Sequence, residues 1–130
     1  MSSTDDRAAR GGPTSRAELK RAYKEKPPPM GVFIIRNRAN GKVLVGSALN
    51  MPGALNRARF ELDRGMSRNL ELQEDWRRHG PDSFTFEQLD VLKPPEEPGA
   101  DPKEELRVLE SLWLERLRPY GEAGYNTPPE

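Results

Sequence analysis

Glu110 is a carboxylate set among apolar residues. On a wheel of about 100° per residue with Leu106 at the origin, Leu109 falls near 300°, Trp113 near 340° and Leu117 near 20°. Glu110 falls at about 40°, inside that stripe, whereas Arg107 at about 100° and Glu115 at about 180° lie off it. A carboxylate there must reach solvent at a cleft or find a cation, because an unpaired buried charge is costly. It reads either as a boundary residue that extends along its own stem or pairs with an arginine, or as a ligand to a hard divalent cation. Mg²⁺ often takes one protein carboxylate, with waters and a substrate phosphate completing its shell. One Glu can therefore serve phosphoryl chemistry.

The second group with chemical potential is basic. Residues 1–89 hold 16 Lys/Arg against 11 Asp/Glu, and residues 90–130 hold 5 against 10, although the whole chain balances at 21 each. A basic front and an acidic back suit a nucleic-acid partner on one face, and equally a solvated surface. Arg57, Arg59, Arg64, Arg68, Arg77 and Arg78 are the candidates for phosphate contacts.

The elements that must carry these residues follow from pattern. Ser15-Arg16-Ala17-Glu18 is a capping box, and Leu19, Ala22 and Tyr23 make one apolar stripe on a short basic helix that Pro27-Pro28-Pro29 stops. Residues 31–46, GVFIIRNRANGKVLVG, read as a β-hairpin with Asn40-Gly41 as its turn. Asn50 and Pro52 open a helix over 53–64 that Gly65 ends, and a further helix over 68–78 places Leu72 and Trp76 four apart. Residues 83–92 form the third strand, with Phe84 and Phe86 on one face, and residues 103–117 the last helix. The stretch RPYGEAGYNTPPE reads as irregular.

This order predicts an α/β domain of the α+β type, a small three-stranded, mostly antiparallel sheet flanked by helices. Residues 1–15 read as a disordered tail, 16–29 as a basic helix and Pro-rich linker, 30–126 as the domain and 127–130 as a short tail. With no cysteine, disulfides and thiolate metal sites are excluded. No apolar run reaches the length of a membrane span or a secretory h-region, so no membrane partner is expected and a cytoplasmic location is the default.

The blocks GVFII, NGK, LVGSA, LQEDWRRHGPDSFTFEQLDVL, VLESLWLERL and GYN, in this order over residues 31–126, resemble the GIY-YIG nuclease superfamily. The resemblance implies a three-stranded antiparallel sheet flanked by helices and metal-dependent phosphodiester hydrolysis, with Mg²⁺ or another divalent metal as cofactor. It assigns the family's metal-binding Glu to Glu110 and a site-supporting Asn to Asn126. The family's two namesake tyrosines fall on Phe33 and Leu44, which carry no hydroxyl. Its arginine falls on Ala54, and Arg57, one turn on, is the nearest substitute. The family's histidine has no counterpart, since His79 aligns with the turn. Tyr23, Tyr120 and Tyr125 are candidates to supply a base or to pack.

The resemblance thus implies a divergent member that keeps the metal-binding half of the site and lacks its proton-handling half. The leading reading is a protein that contacts nucleic-acid phosphates, DNA more than RNA, with weak or lost hydrolysis. The alternatives are an active divalent-metal-dependent endonuclease with relocated base and arginine, and a non-catalytic protein-interaction adaptor.

Overall fold

The sheet is built around its most apolar strand. In the computed structural model, which describes residues 27–96 and 99–129, β1 spans Met30–Asn37, β2 Val43–Ala48 and β3 Phe84–Leu92. The expected tail over 1–15 and the basic helix after it, with Tyr23, lie outside the described residues. Strand order is β2-β1-β3 and both pairings are antiparallel. Because β1 is central and covered on both faces, it carries the unbroken run Val32-Phe33-Ile34-Ile35, where a strand with one wet face would alternate. Ile35 joins Leu62, Leu72, Trp76 and Phe84 beneath α1 (Met51–Asp63) and α2 (Leu70–His79). Val32, Ile34, Val43 and Val45 face α3 (Pro102–Leu117), against Leu109, Trp113 and Leu114. Ile34 is 2% exposed, and truncating such a residue to Ala costs about 2–5 kcal/mol.

Side chains that satisfy backbone donors set the helix starts. Asn50 Oδ1 accepts from Gly53 N (3.0 Å) at the head of α1, with Pro52 in its first turn. Asn69 Oδ1 accepts from Leu72 N (3.0 Å), so α2 begins at Leu70, two residues later than the pattern predicts. Asp101 caps α3 through Lys103 N. In α3 the apolar stripe differs from the wheel in one residue. Leu114 packs on the sheet, while Leu117 stays 36% exposed where the chain turns away at Arg118, φ 43°.

The hairpin connection also differs from a two-residue Asn-Gly turn. Asn37 N donates to Lys42 O (2.9 Å), leaving Arg38–Gly41 as a four-residue loop in which Gly41 alone takes a positive φ, 81°. The asparagines set this geometry. Asn37 Oδ1 accepts from Ala39 N (2.9 Å), and Asn40 Oδ1 accepts from Lys42 N (3.0 Å).

A register shift in β3 serves the other face. Val32 pairs with Asp90 and Phe33 with Gln88, so Leu89 is the extra residue of a bulge. The bulge puts both Leu89 and Asp90 on the α3 side. There Asp90 Oδ2 accepts from Trp113 Nε1 (2.8 Å), which anchors the indole's polar end.

Candidate functional site

Glu110 is half-buried on the sheet-facing side of α3, and its Oε1 accepts a 2.6 Å hydrogen bond from Ser47 Oγ. The carboxylate is thus partnered by a hydroxyl. Among the described residues it makes no ion pair with an arginine and no second hydrogen bond, and none of them donates to Oε2. No group of three His, Cys, Asp or Glu side chains comes together among those residues. A divalent cation here would have one carboxylate oxygen from the protein and complete its shell with water and phosphate oxygens, a donor set that Mg²⁺ accepts.

The residues at the family's tyrosine positions pack on the opposite face of the hairpin. Phe33 and Leu44 lie against the cluster under α1 and α2. The Phe33 ring covers Gly46 so closely that a Cβ there would stand 2.6 Å from Cζ, so any larger residue would have to displace the ring. Neither side chain can move a proton.

Asn126 sits on the open edge of β2. Its Oδ1 accepts from Val45 N (2.9 Å), and its Nδ2 donates to Val45 O (2.8 Å), reproducing with a side chain the pair of bonds a neighbouring strand would make. Val43 is met in the same way by Ala123 O and Tyr125 N. The segment Ala123–Asn126 therefore covers the edge strand directly upstream of Ser47.

Tyr125 beside it is buried at 4% exposure. Its hydroxyl donates to Asp75 Oδ2 (2.7 Å) and accepts from Asn37 Nδ2 (3.0 Å), while Asn40 Nδ2 donates to the same Asp75 oxygen (3.1 Å). Burial, reinforced by the Asp75 carboxylate, pushes the Tyr125 hydroxyl up to about 12. Burial also works to raise Asp75, but the hydrogen bonds from Tyr125 and Asn40, with His79 and Lys42 nearby, outweigh it and hold that carboxyl below the ordinary aspartate range. A buried phenol this reluctant to ionise is a structural tie and a poor base. Tyr120 instead lines a surface cleft of about 460 Å³ with Ser111, Leu114 and Arg118.

The arginines separate into several surroundings. Arg57 lines a cleft of about 420 Å³ with Ala54, Asn50, Gly53 and Glu61, so the substitute arginine shares a surface with the position it would replace. Arg59, about 160° away on the same helix, lines a different cleft with Phe86 and Gln88, and its guanidinium lies over the Phe86 ring (5.3 Å) and the Trp76 ring (5.8 Å). Arg64 stacks on Phe60 (4.4 Å), and Arg77 lines a third cleft beside Gly65 and Glu74. Arg68 and Arg78 are exposed. Arg57 and Arg59 thus leave α1 on different sides.

Ser47 is the site residue that pattern reading passes over. It lies in a strand that runs to Ala48 but reads as stopping at Gly46, and its signal is alternation with Val43 and Val45, which puts it on the α3 face. Asp75 had a comparable signal, lying beside Trp76 and three residues after the buried Leu72.

No family model matches the chain, and neither does any curated protein. Two solved structures do. The catalytic domain of homing endonuclease I-TevI matches at 29% identity with a TM-score of 0.62, over 77% of this chain and 99% of that domain. A glutamate-to-alanine variant of the same catalytic domain matches at 28% identity with a TM-score of 0.61, over 75% of this chain and 92% of the other. A three-stranded antiparallel sheet with three helices, matched over nearly all of that catalytic domain, gives this chain a GIY-YIG nuclease-like fold.

Proposed function

We propose that this chain uses its nuclease-like fold to contact nucleic-acid phosphates, DNA in preference to RNA, and that it hydrolyses them weakly or not at all. The observation that carries this reading is the packing of Phe33 and Leu44, which gives the core two apolar side chains at the places where the resemblance implies hydroxyls. General acid–base help is worth about 10²–10⁴-fold, and phosphate stabilisation about another 10²–10³-fold. Exposed Arg57, Arg59, Arg64, Arg77 and Arg78 serve as phosphate contacts, Arg59 and Arg64 from positions over aromatic rings. Asn126 supports the site by holding β2. A divalent cation bound at Glu110 would supply charge stabilisation to a phosphate. The similarity to a homing endonuclease domain supports a nucleic-acid partner.

Fluorescence anisotropy with a short duplex tests the reading. Affinity falls steeply between about 50 and 200 mM salt, and Arg57→Ala lowers the salt slope by about 1. Duplex affinity that ignores salt contradicts it.

One observation favours a second reading, an active metal-dependent endonuclease: Arg57 lines the cleft that Ala54 lines. Metal-dependent nicking of plasmid DNA separates the two.

A further inference from the structure

We propose that Ser47 is a positioning residue for the Glu110 carboxylate, holding Oε1 so that Oε2 is presented to a divalent cation. The inference rests on the reading of Glu110 as a cation ligand.

Four observations converge on it. Ser47 carries the only side-chain hydroxyl on β1 and β2, and that hydroxyl is spent on Glu110 at 2.6 Å. Both ends of the contact are anchored independently. Two residues before Ser47, the backbone of Val45 is gripped on both its N–H and C=O by the Asn126 amide. Three residues after Glu110, on the same side of α3, Trp113 is tied to Asp90 across the sheet. Finally, the hydroxyl occupies one carboxylate oxygen and no other donor among the described residues occupies the second. A glutamate has three rotatable bonds, and a fixed donor on one oxygen removes most of that freedom before a cation arrives. Such partners of ligating groups are typically worth about 10–100-fold in metal affinity.

The test is a Mn²⁺ titration of the full chain followed by electron paramagnetic resonance. Wild type, Ser47→Ala, Ser47→Thr and Glu110→Gln are compared, each well below its own unfolding midpoint by circular dichroism. Ser47→Ala weakens Mn²⁺ binding about tenfold. Ser47→Thr keeps the hydroxyl on a strand that tolerates β-branching and retains wild-type affinity. Glu110→Gln loses the site. If Ser47→Ala binds like wild type while Glu110→Gln does not, the role of Ser47 is wrong and the cation reading survives. If Ser47→Thr falls as far as Ser47→Ala, the hydroxyl is not what matters and the proposal fails. If Glu110→Gln binds like wild type, or wild type binds no Mn²⁺, the cation reading itself is overturned and the proposal with it.

Discussion

Among the described residues two carboxylates accept hydrogen bonds from hydroxyls, and their surroundings differ. Asp75 is buried, its Oδ2 takes bonds from both Tyr125 and Asn40, and His79 and Lys42 add positive charge. Through these partners it joins α2 to the hairpin loop and the C-terminal segment. Glu110 is half-buried and takes one bond from one serine. The first arrangement resembles a staple: a buried charge satisfied from several elements at once. The second is held at one oxygen, and no other described residue donates to it, as the proposed cation ligand requires. Residue type does not distinguish them. The number of elements converging on each does.

Breaking the staple has the largest expected effect. Asp75→Ala strands the Tyr125 hydroxyl and the Asn40 amide, and urea denaturation should show a loss of about 3 kcal/mol. Tyr125→Phe removes one member but leaves Asp75 with Asn40, so about 1–2 kcal/mol is expected in the same assay.

Asn126→Ala comes next. It frees the Val45 N–H and C=O on the sheet edge, and the expected cost is about 1 kcal/mol, with faster hydrogen exchange at Val45. Glu110→Ala is the smallest, less than about 1 kcal/mol of stability, since the hydroxyl it releases belongs to a half-buried serine. A Glu110→Ala cost as large as that of Asp75→Ala would erase the contrast between the two carboxylates.

The pH dependence separates the regions further. Asp75 is held below its unfolded value, so the stability it contributes is present above the ordinary aspartate range and drains away as pH falls through the folded value. Tyr125 is raised, so its contribution is present below the ordinary tyrosine value and is lost as pH rises through about 12. Thermal unfolding midpoints followed from neutral to acid pH should fall for wild type, and Asp75→Asn should flatten that acid limb.

Much of the fold could be read from residue patterns because its determinants are local. The cap at Asn50, the apolar run of β1 and the Phe84/Phe86 alternation each act within a few residues. Glu110 was also visible, as a charge inside an apolar stripe. What escaped depends on partners far along the chain. The hairpin loop is four residues long because Asn37 and Asn40 also answer to Tyr125 and Asp75, 88 and 35 residues away. The bulge that turns Asp90 toward Trp113 has no local signature, and a C-terminal stretch that reads as irregular is the cover of a strand edge. Ser47 belongs to the same class, its meaning supplied by a residue 63 positions later. The spread of the arginines was hidden for another reason, since composition counts charges without placing them around a helix.

The proposal at the centre is that a nuclease-like fold with apolar Phe33 and Leu44 packed into its core hydrolyses phosphodiesters weakly or not at all. Supercoiled-plasmid nicking with Mg²⁺ or Mn²⁺ tests it most directly, with wild type beside Glu110→Ala. Wild type and Glu110→Ala are expected to give the same trace or negligible nicking. Robust metal-dependent cleavage by wild type, abolished in Glu110→Ala, would contradict it and establish the active endonuclease instead.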